Sequence, residues 1–150
     1  MKLDDADKAI LNRIQSDFPI ASRPYAAIAE ELDLTEKEVL EKVQALKKAG
    51  IIRRIGGNFV PHKVGFVSTL CAARVPEHDV DAFAEVVNRY TGVTHNYQRD
   101  HDFNVWFTFI ARSMSEIDAN LKQISQATGV ADILNLPATR VFKIKAQFDV

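Results

Sequence analysis

The sequence holds a single cysteine, Cys71, so one chain can form neither a disulfide framework nor a thiolate metal cluster. No apolar run approaches the roughly 18 residues of a membrane span, and the opening MKLDDADKAI lacks the apolar stretch of a secretory signal. A soluble, cytoplasmic protein with no membrane role is expected. Charge of one sign is also missing: 19 Lys and Arg stand against 20 Asp and Glu, a formal net charge of -1, so no global field draws the chain to nucleic acid. Nowhere is there an HExxH, a His/Cys cluster at ligand spacing, a glycine-rich phosphate loop or a GxSxG, and the expectation is no protein-held metal. Internal repeats and low-complexity tracts are absent too. What remains is 150 residues, 47% hydrophobic, enough for one ordinary domain or two small ones.

The first sixty residues read as helices. In DDADKAILNRIQSDF, Ala6, Ile10, Leu11, Ile14 and Phe18 recur at helical spacing, with Asp4 or Asp5 placed as a cap and Pro19 as a stop. RPYAAIAEELDL sets Tyr25, Ile28, Ala29 and Leu32 on one face. TEKEVLEKVQALKKAG opens on a Thr35 to Glu38 capping box, carries Val39, Val43 and Leu46, and ends at Gly50. IIRRIGGNFV, with Gly56 and Gly57 at its tip, then predicts a two-stranded wing. The sum is a winged helix-turn-helix over residues 1–62.

A DNA-binding reading meets an obstacle in charge. The recognition helix carries Lys37, Lys42, Lys47 and Lys48 against Glu36, Glu38 and Glu41, has no arginine, and is acidic in the turn that would meet base edges. Carboxylates there repel phosphates, so DNA binding is not expected. Arg53 and Arg54 form a local basic pair on the wing, and a binding role and a plain solvated strand account for them equally well.

From Phe66 the rhythm changes. FVSTLCAARV is a strand closed by Pro76, EHDVDAFAEVVNRY an amphipathic helix, GVTHNYQR and FNVWFTFIA two strands around Asp100-His101-Asp102, and SMSEIDANLKQISQAT a second helix. Val141, Phe142, Ile144 and Phe148 in TRVFKIKAQFDV suggest a final strand. Strand, helix, strand, strand, helix, strand is a ferredoxin-like βαββαβ order, expected over residues 63–150, so the fold class is α+β. In FNVWFTFIA both faces are apolar: Phe103, Val105, Phe107 and Phe109 alternate with Trp106 and Ile110. Helices cover one face of such a sheet, so a second protomer or a flat ligand is expected on the other.

Alternation in the first strand of the hairpin predicts Val93, His95, Tyr97 and Arg99 on one side and Thr94, Asn96 and Gln98 on the other. Imidazole, phenol and guanidinium in a row can grip an anion and move a proton near neutral pH. Each taken singly has a plain structural explanation; together they form a candidate site. His101 reads as a solvated loop residue, and His62 and His78 as surface residues.

This architecture resembles the Lrp/AsnC transcription regulators across nearly the whole chain. The strings RPYAAIAEELDL, GIIRRIGGNF, KVGFVSTLCAARV, GVTHNYQRDHDFNVWFTFIA and LPATRVFKIK are similar, more narrowly, to the siroheme decarboxylases, an Lrp-like branch of the alternative haem and haem d1 pathways. HNYQR and FNVWFT carry most of that likeness, and they lean towards an alpha-type subunit. The resemblance implies a carboxy-lyase that removes the C12 and C18 acetate carboxyls of siroheme, giving 12,18-didecarboxysiroheme and CO2. It also implies pairing with a homologous second subunit as a heterodimer, or with itself as a homodimer. No cofactor is implied, because the iron arrives with the substrate.

A flat pigment edged with carboxylates needs oily walls and cationic grips. Trp106, Phe107 and Tyr97 are candidates for the walls, Arg99, Arg53, Arg54 and Arg23 for the grips, with Asn104 as a further substrate contact. Loss of CO2 from an acetate arm leaves a methylene carbon that needs a proton. His95 is the expected donor, or alternatively an axial ligand of the substrate's iron, with Arg99 orienting the carboxylate and Tyr97 bonding beside it. Two rival functions stay open at this point: an Lrp/AsnC-type ligand-responsive DNA-binding regulator, and a tetrapyrrole-binding module without catalysis.

Overall fold

The computed structural model describes residues 2–57, 59–144, 147 and 150. The chain divides into two compact units, Met1–Gly57 with Lys143–Val150, and Asn58–Phe142. Division at residue 62 left the chain end with the second domain, whereas Asn12 and the Val150 backbone exchange 3.3 Å hydrogen bonds within the first unit.

In the first unit, α1 spans Asp5–Ser16, α2 Pro24–Glu31 and α3 Glu36–Lys48. Both expected caps form. The Asp4 carboxylate accepts from Asp7 N at 2.7 Å while Asp7 accepts from Asp4 N at 3.1 Å, and Thr35 and Glu38 make the reciprocal box on α3. Ile10, Ile28, Ala29, Val39, Val43, Leu46 and Ile52 are buried together, the apolar faces read from helical spacing. Lys42 joins α3 to α1 through Asp4 at 2.6 Å and Asp7 at 3.1 Å. The turn between α2 and α3 uses Asp33 at φ 55, the left-handed region.

The expected wing ribbon is not formed: among the described residues from 51 to 60 there is no strand. Ile51 N and Ile52 N both donate back to Leu46 O, at 3.0 and 3.2 Å, behind Gly50 at φ 73, so these amides terminate α3 instead of pairing across a hairpin.

The second unit follows the ferredoxin-like order. It runs β1 Val67–Ala73, α4 Val80–Asn88, β2 Val93–Gln98, β3 Val105–Ala111, α5 Met114–Thr128 and β4 Ile133–Leu136. The strands form one antiparallel sheet in the order β2-β3-β1-β4. Cys71, Ala73, Val105, Phe107 and Phe109 face α4 and α5, meeting Phe83, Val87, Ile117, Leu121 and Ile124 in one core.

The last strand among the described residues is ILNL, and the described residues 141–144 of the expected strand form none. Thr69 donates to the Asn135 side-chain oxygen at 2.6 Å and the Asn135 amide donates to Asp118 at 2.8 Å, tying β1, β4 and α5 together. Pro137 then removes the next backbone donor. Val141, Phe142 and Ile144 lie outside any strand, and Phe148 lies outside the described residues. No helix among the described residues is long and apolar enough to cross a membrane.

Candidate functional site

Two neighbouring strands present side chains to the same face where they pair, so the register defines the sheet's second face. Tyr97 pairs with Trp106 and His95 with Thr108; across β3, Trp106 pairs with Ala72, Thr108 with Leu70 and Ile110 with Ser68; beyond β1, Leu70 pairs with Leu136 and Ala72 with Leu134. All of these lie opposite the helices. The face is oily yet open: Leu70, Leu134, Leu136 and Tyr97 are 43%, 40%, 41% and 51% exposed. The double apolar alternation of β3 therefore produced what its pattern predicts, a covered face and an uncovered one.

His95 and Tyr97 stand on the β2 edge of that plate. Their rings stack with centroids 6.1 Å apart and an interplanar angle of 28°. Trp106 is half-buried beside them, its indole N–H donating to Phe103 O at 2.6 Å. Val93 does not share their face. It pairs with Phe109 and packs into the core, because the register between β2 and β3 shifts at Thr94: two steps along β2, from Val93 to His95, match one step along β3. The Thr94 hydroxyl consequently lies 3.1 Å from His95 Nδ1. Gly92 makes the shift possible. A Cβ there would sit 2.2 Å from Ile110 O, and Ile110 N donates to Gly92 O at 2.8 Å.

Arg99 follows the last residue of β2. Its backbone N–H donates to Asn104 O at 2.7 Å, closing the turn, and it lines an open cleft of about 390 Å³ with Glu77, Gln98, Asp100, His101 and Asn104. His101, expected to be a plain loop residue, thus shares Arg99's cleft. Its Nδ1 accepts from Phe103 N at 3.1 Å, which leaves Nε2 turned to other partners. The two acids beside His101 hid this, since DHD reads as a solvated turn.

Phe107 is corrected as a substrate contact, and Asn104 has a structural task. Phe107 is 1% exposed and faces the helices between Phe83 and Phe109, so it belongs to the core and not to a substrate wall. The Asn104 amide is taken up by the backbone of Val75, accepting from its N–H at 2.9 Å and donating to its carbonyl at 2.8 Å. It pins the start of β3 to the end of β1. Arg23, Arg53 and Arg54 belong to the first unit and the hairpin to the second. Arg23 is ion-paired with Glu36, while Arg53 and Arg54 are exposed in the segment after α3.

Cys71 is fully buried, and burial, with the Asp118 carboxylate adding to it, pushes its thiol up to about 12, so it is no thiolate near neutral pH. Among the described residues no group of His, Cys, Asp or Glu could hold a metal ion. What the plate offers is a flat apolar surface, a protonatable ring at its edge and a guanidinium at the adjoining turn.

Comparison with known proteins assigns a family to this geometry. Residues 63–143 match the AsnC-like ligand binding domain, and residues 7–53 match the siroheme decarboxylase NirDL-like HTH domain. A siroheme decarboxylase alpha subunit from Desulfovibrio desulfuricans is 54% identical over 146 residues, covering 97% of this chain and 84% of that one. The chain belongs to the siroheme decarboxylases. Within that family, the crystal structure of siroheme decarboxylase NirDL in co-complex with an iron-uroporphyrin III analogue superposes with a TM-score of 0.70 at 32% identity, over 97% of this chain. The chain spans about half, 48%, of NirDL's length. The E. coli AsnC structure has a TM-score of 0.81 at 16% identity over 97% of this chain and 98% of that one, which shows a shared fold.

Proposed function

We propose that this siroheme decarboxylase family member is one subunit of a carboxy-lyase that removes the C12 and C18 acetate carboxyls of siroheme, yielding 12,18-didecarboxysiroheme and CO2. The observation that carries the reading is the His95–Tyr97 pair at the edge of an exposed apolar plate, in a chain 54% identical to a siroheme decarboxylase alpha subunit. A tetrapyrrole face lies against Trp106, Leu70 and Leu136, which favours burial of its flat surface. Arg99 offers a planar fork to a peripheral carboxylate.

In the reacting arm the bond between methylene and carboxylate breaks, CO2 leaves, and the electron pair is delocalised into the macrocycle. His95 delivers a proton to the methylene carbon, giving a methyl. Tyr97, beside the imidazole, offers a neutral donor. Iron is part of the substrate, and the protein supplies no cofactor of its own. His95 as an axial ligand of that iron is the competing assignment. A homologous second subunit, or a second copy, covers the remainder of the open face and completes the enclosure. The cytoplasm is the expected setting.

DNA binding as a regulator is the lesser reading. The first turn of α3 presents Glu36 and Glu38, and Glu36 already holds Arg23. Anaerobic incubation with siroheme, with and without the companion chain, followed by mass analysis of the pigment, tests the proposal. Loss of two CO2 is expected; an unaltered pigment in both cases rejects it.

A further inference from the structure

We propose that Thr94 is the positioning residue for His95, holding Nδ1 so that Nε2 is the nitrogen that gives and regains the proton. The inference rests on the placement of His95 at the reacting arm, and adds a residue to that site.

Side chains of consecutive residues in a regular strand point to opposite faces, so a hydroxyl at one position cannot reach an imidazole at the next. Here they meet, with Oγ1 and Nδ1 3.1 Å apart. The register shift between Val93 and His95 permits it, and the close approach of Gly92 to Ile110 O accommodates that shift. Extra residues of this kind re-aim side chains next to functional sites. Threonine is suited to the position, because branching at Cβ leaves its hydroxyl few rotamers to lose. Tyr97 follows His95 as Thr94 precedes it, its ring centroid 6.1 Å from the imidazole's.

The chemical consequence concerns the tautomer. With Nδ1–H donating to Thr94 Oγ1, the imidazolium loses its Nε2 proton and keeps that bond as it stands, whereas loss from Nδ1 requires the hydroxyl to turn round and donate. The neutral ring left behind keeps Nδ1–H and a bare Nε2, ready to be reprotonated from solvent. One hydrogen bond thus persists through the whole proton cycle. The same contact would present Nε2 to iron, because the ring nitrogen that binds a metal is set by the bond its partner makes. Nε2 is the working nitrogen in either role.

The test separates this inference from the reading it rests on. Long-range 1H–15N spectra of the His95 imidazole, recorded on the intact chain with the ring neutral and no pigment present, report the tautomer directly. The parent is expected to hold the proton on Nδ1, Thr94→Val to move it towards Nε2, and Thr94→Ser to return it to Nδ1. In turnover of siroheme by the assembled enzyme, Thr94→Val is expected to lower kcat about tenfold with KM little changed, and Thr94→Ser to recover most of that loss. An unchanged tautomer in Thr94→Val overturns the inference whatever happens to activity. A shifted tautomer with undiminished kcat overturns it as well, provided His95→Ala is inactive; if His95→Ala remains active, the proton-donor reading falls and the positioning role falls with it.

Discussion

At the scale of single residues, the site depends on groups whose chemistry is shared out differently from a simple row. His95 and Tyr97 do stand together on the open face, as alternation indicates. Arg99 stands past the strand end, in a cleft with Glu77 and His101. A guanidinium can grip a carboxylate through two parallel N–H donors, and an ammonium cannot reproduce that fork. Arg99→Lys is therefore expected to raise KM for siroheme about tenfold or more while the chain's melting temperature stays within about 1 °C, because the side chain is exposed. Steady-state kinetics beside a thermal melt check this. Phe107 and Asn104 show where residue-level reading stops. An aromatic residue in a strand is apolar on either face, and which face becomes core depends on where α4 and α5 lie. The Asn104 amide is satisfied by Val75, 29 residues away, a pairing no local pattern carries.

At the scale of elements, helices and their caps were legible because their signals are local. Asp4 and Thr35 each sit three residues before the acid that completes the box. Strand assignment failed where the deciding contact was distant. Residues 141–144 have the better strand composition, yet among the described residues the last strand is ILNL, held by Asn135 to Thr69 and Asp118. The hairpin's irregularity was equally hidden, since it arises from Gly92 meeting the Ile110 carbonyl across the pair. Gly92→Ala drives a Cβ into that backbone oxygen and is expected to destabilise the chain by about 1–3 kcal/mol, measured by denaturant unfolding. The helical unit carries its own pH signature. Lys42 holds the Asp4 carboxyl below its usual value, Arg13 does the same for Glu31, and the Thr35 hydroxyl and amide do so for Glu38. Their folded values lie below the unfolded ones, so the stabilisation is present at neutral pH and is lost as pH falls through the folded values. Melting temperature is expected to decline as pH falls from about 5 to about 3, and Lys42→Met is expected to flatten part of that decline.

At the scale of the whole molecule, the expected order of domains holds, and the double apolar alternation of β3 correctly signalled a sheet with one face uncovered. Leu70, Leu134 and Leu136 remain open to solvent on that face. A second subunit seated on the part of that face left free by the pigment would bury Leu134, so Leu134→Asp is expected to weaken assembly about tenfold or more while leaving secondary structure intact. Sedimentation velocity at micromolar concentration, with and without the companion chain, reads this directly; undiminished assembly would mean that the subunits meet elsewhere.

The most direct measurement is the rate at which siroheme loses CO2 when His95 alone is changed. Purified anaerobically with its companion, His95→Ala is expected to bind the pigment but to convert it at least about a hundredfold more slowly than the parent. Conversion at the parental rate would contradict the assignment of the proton to that ring.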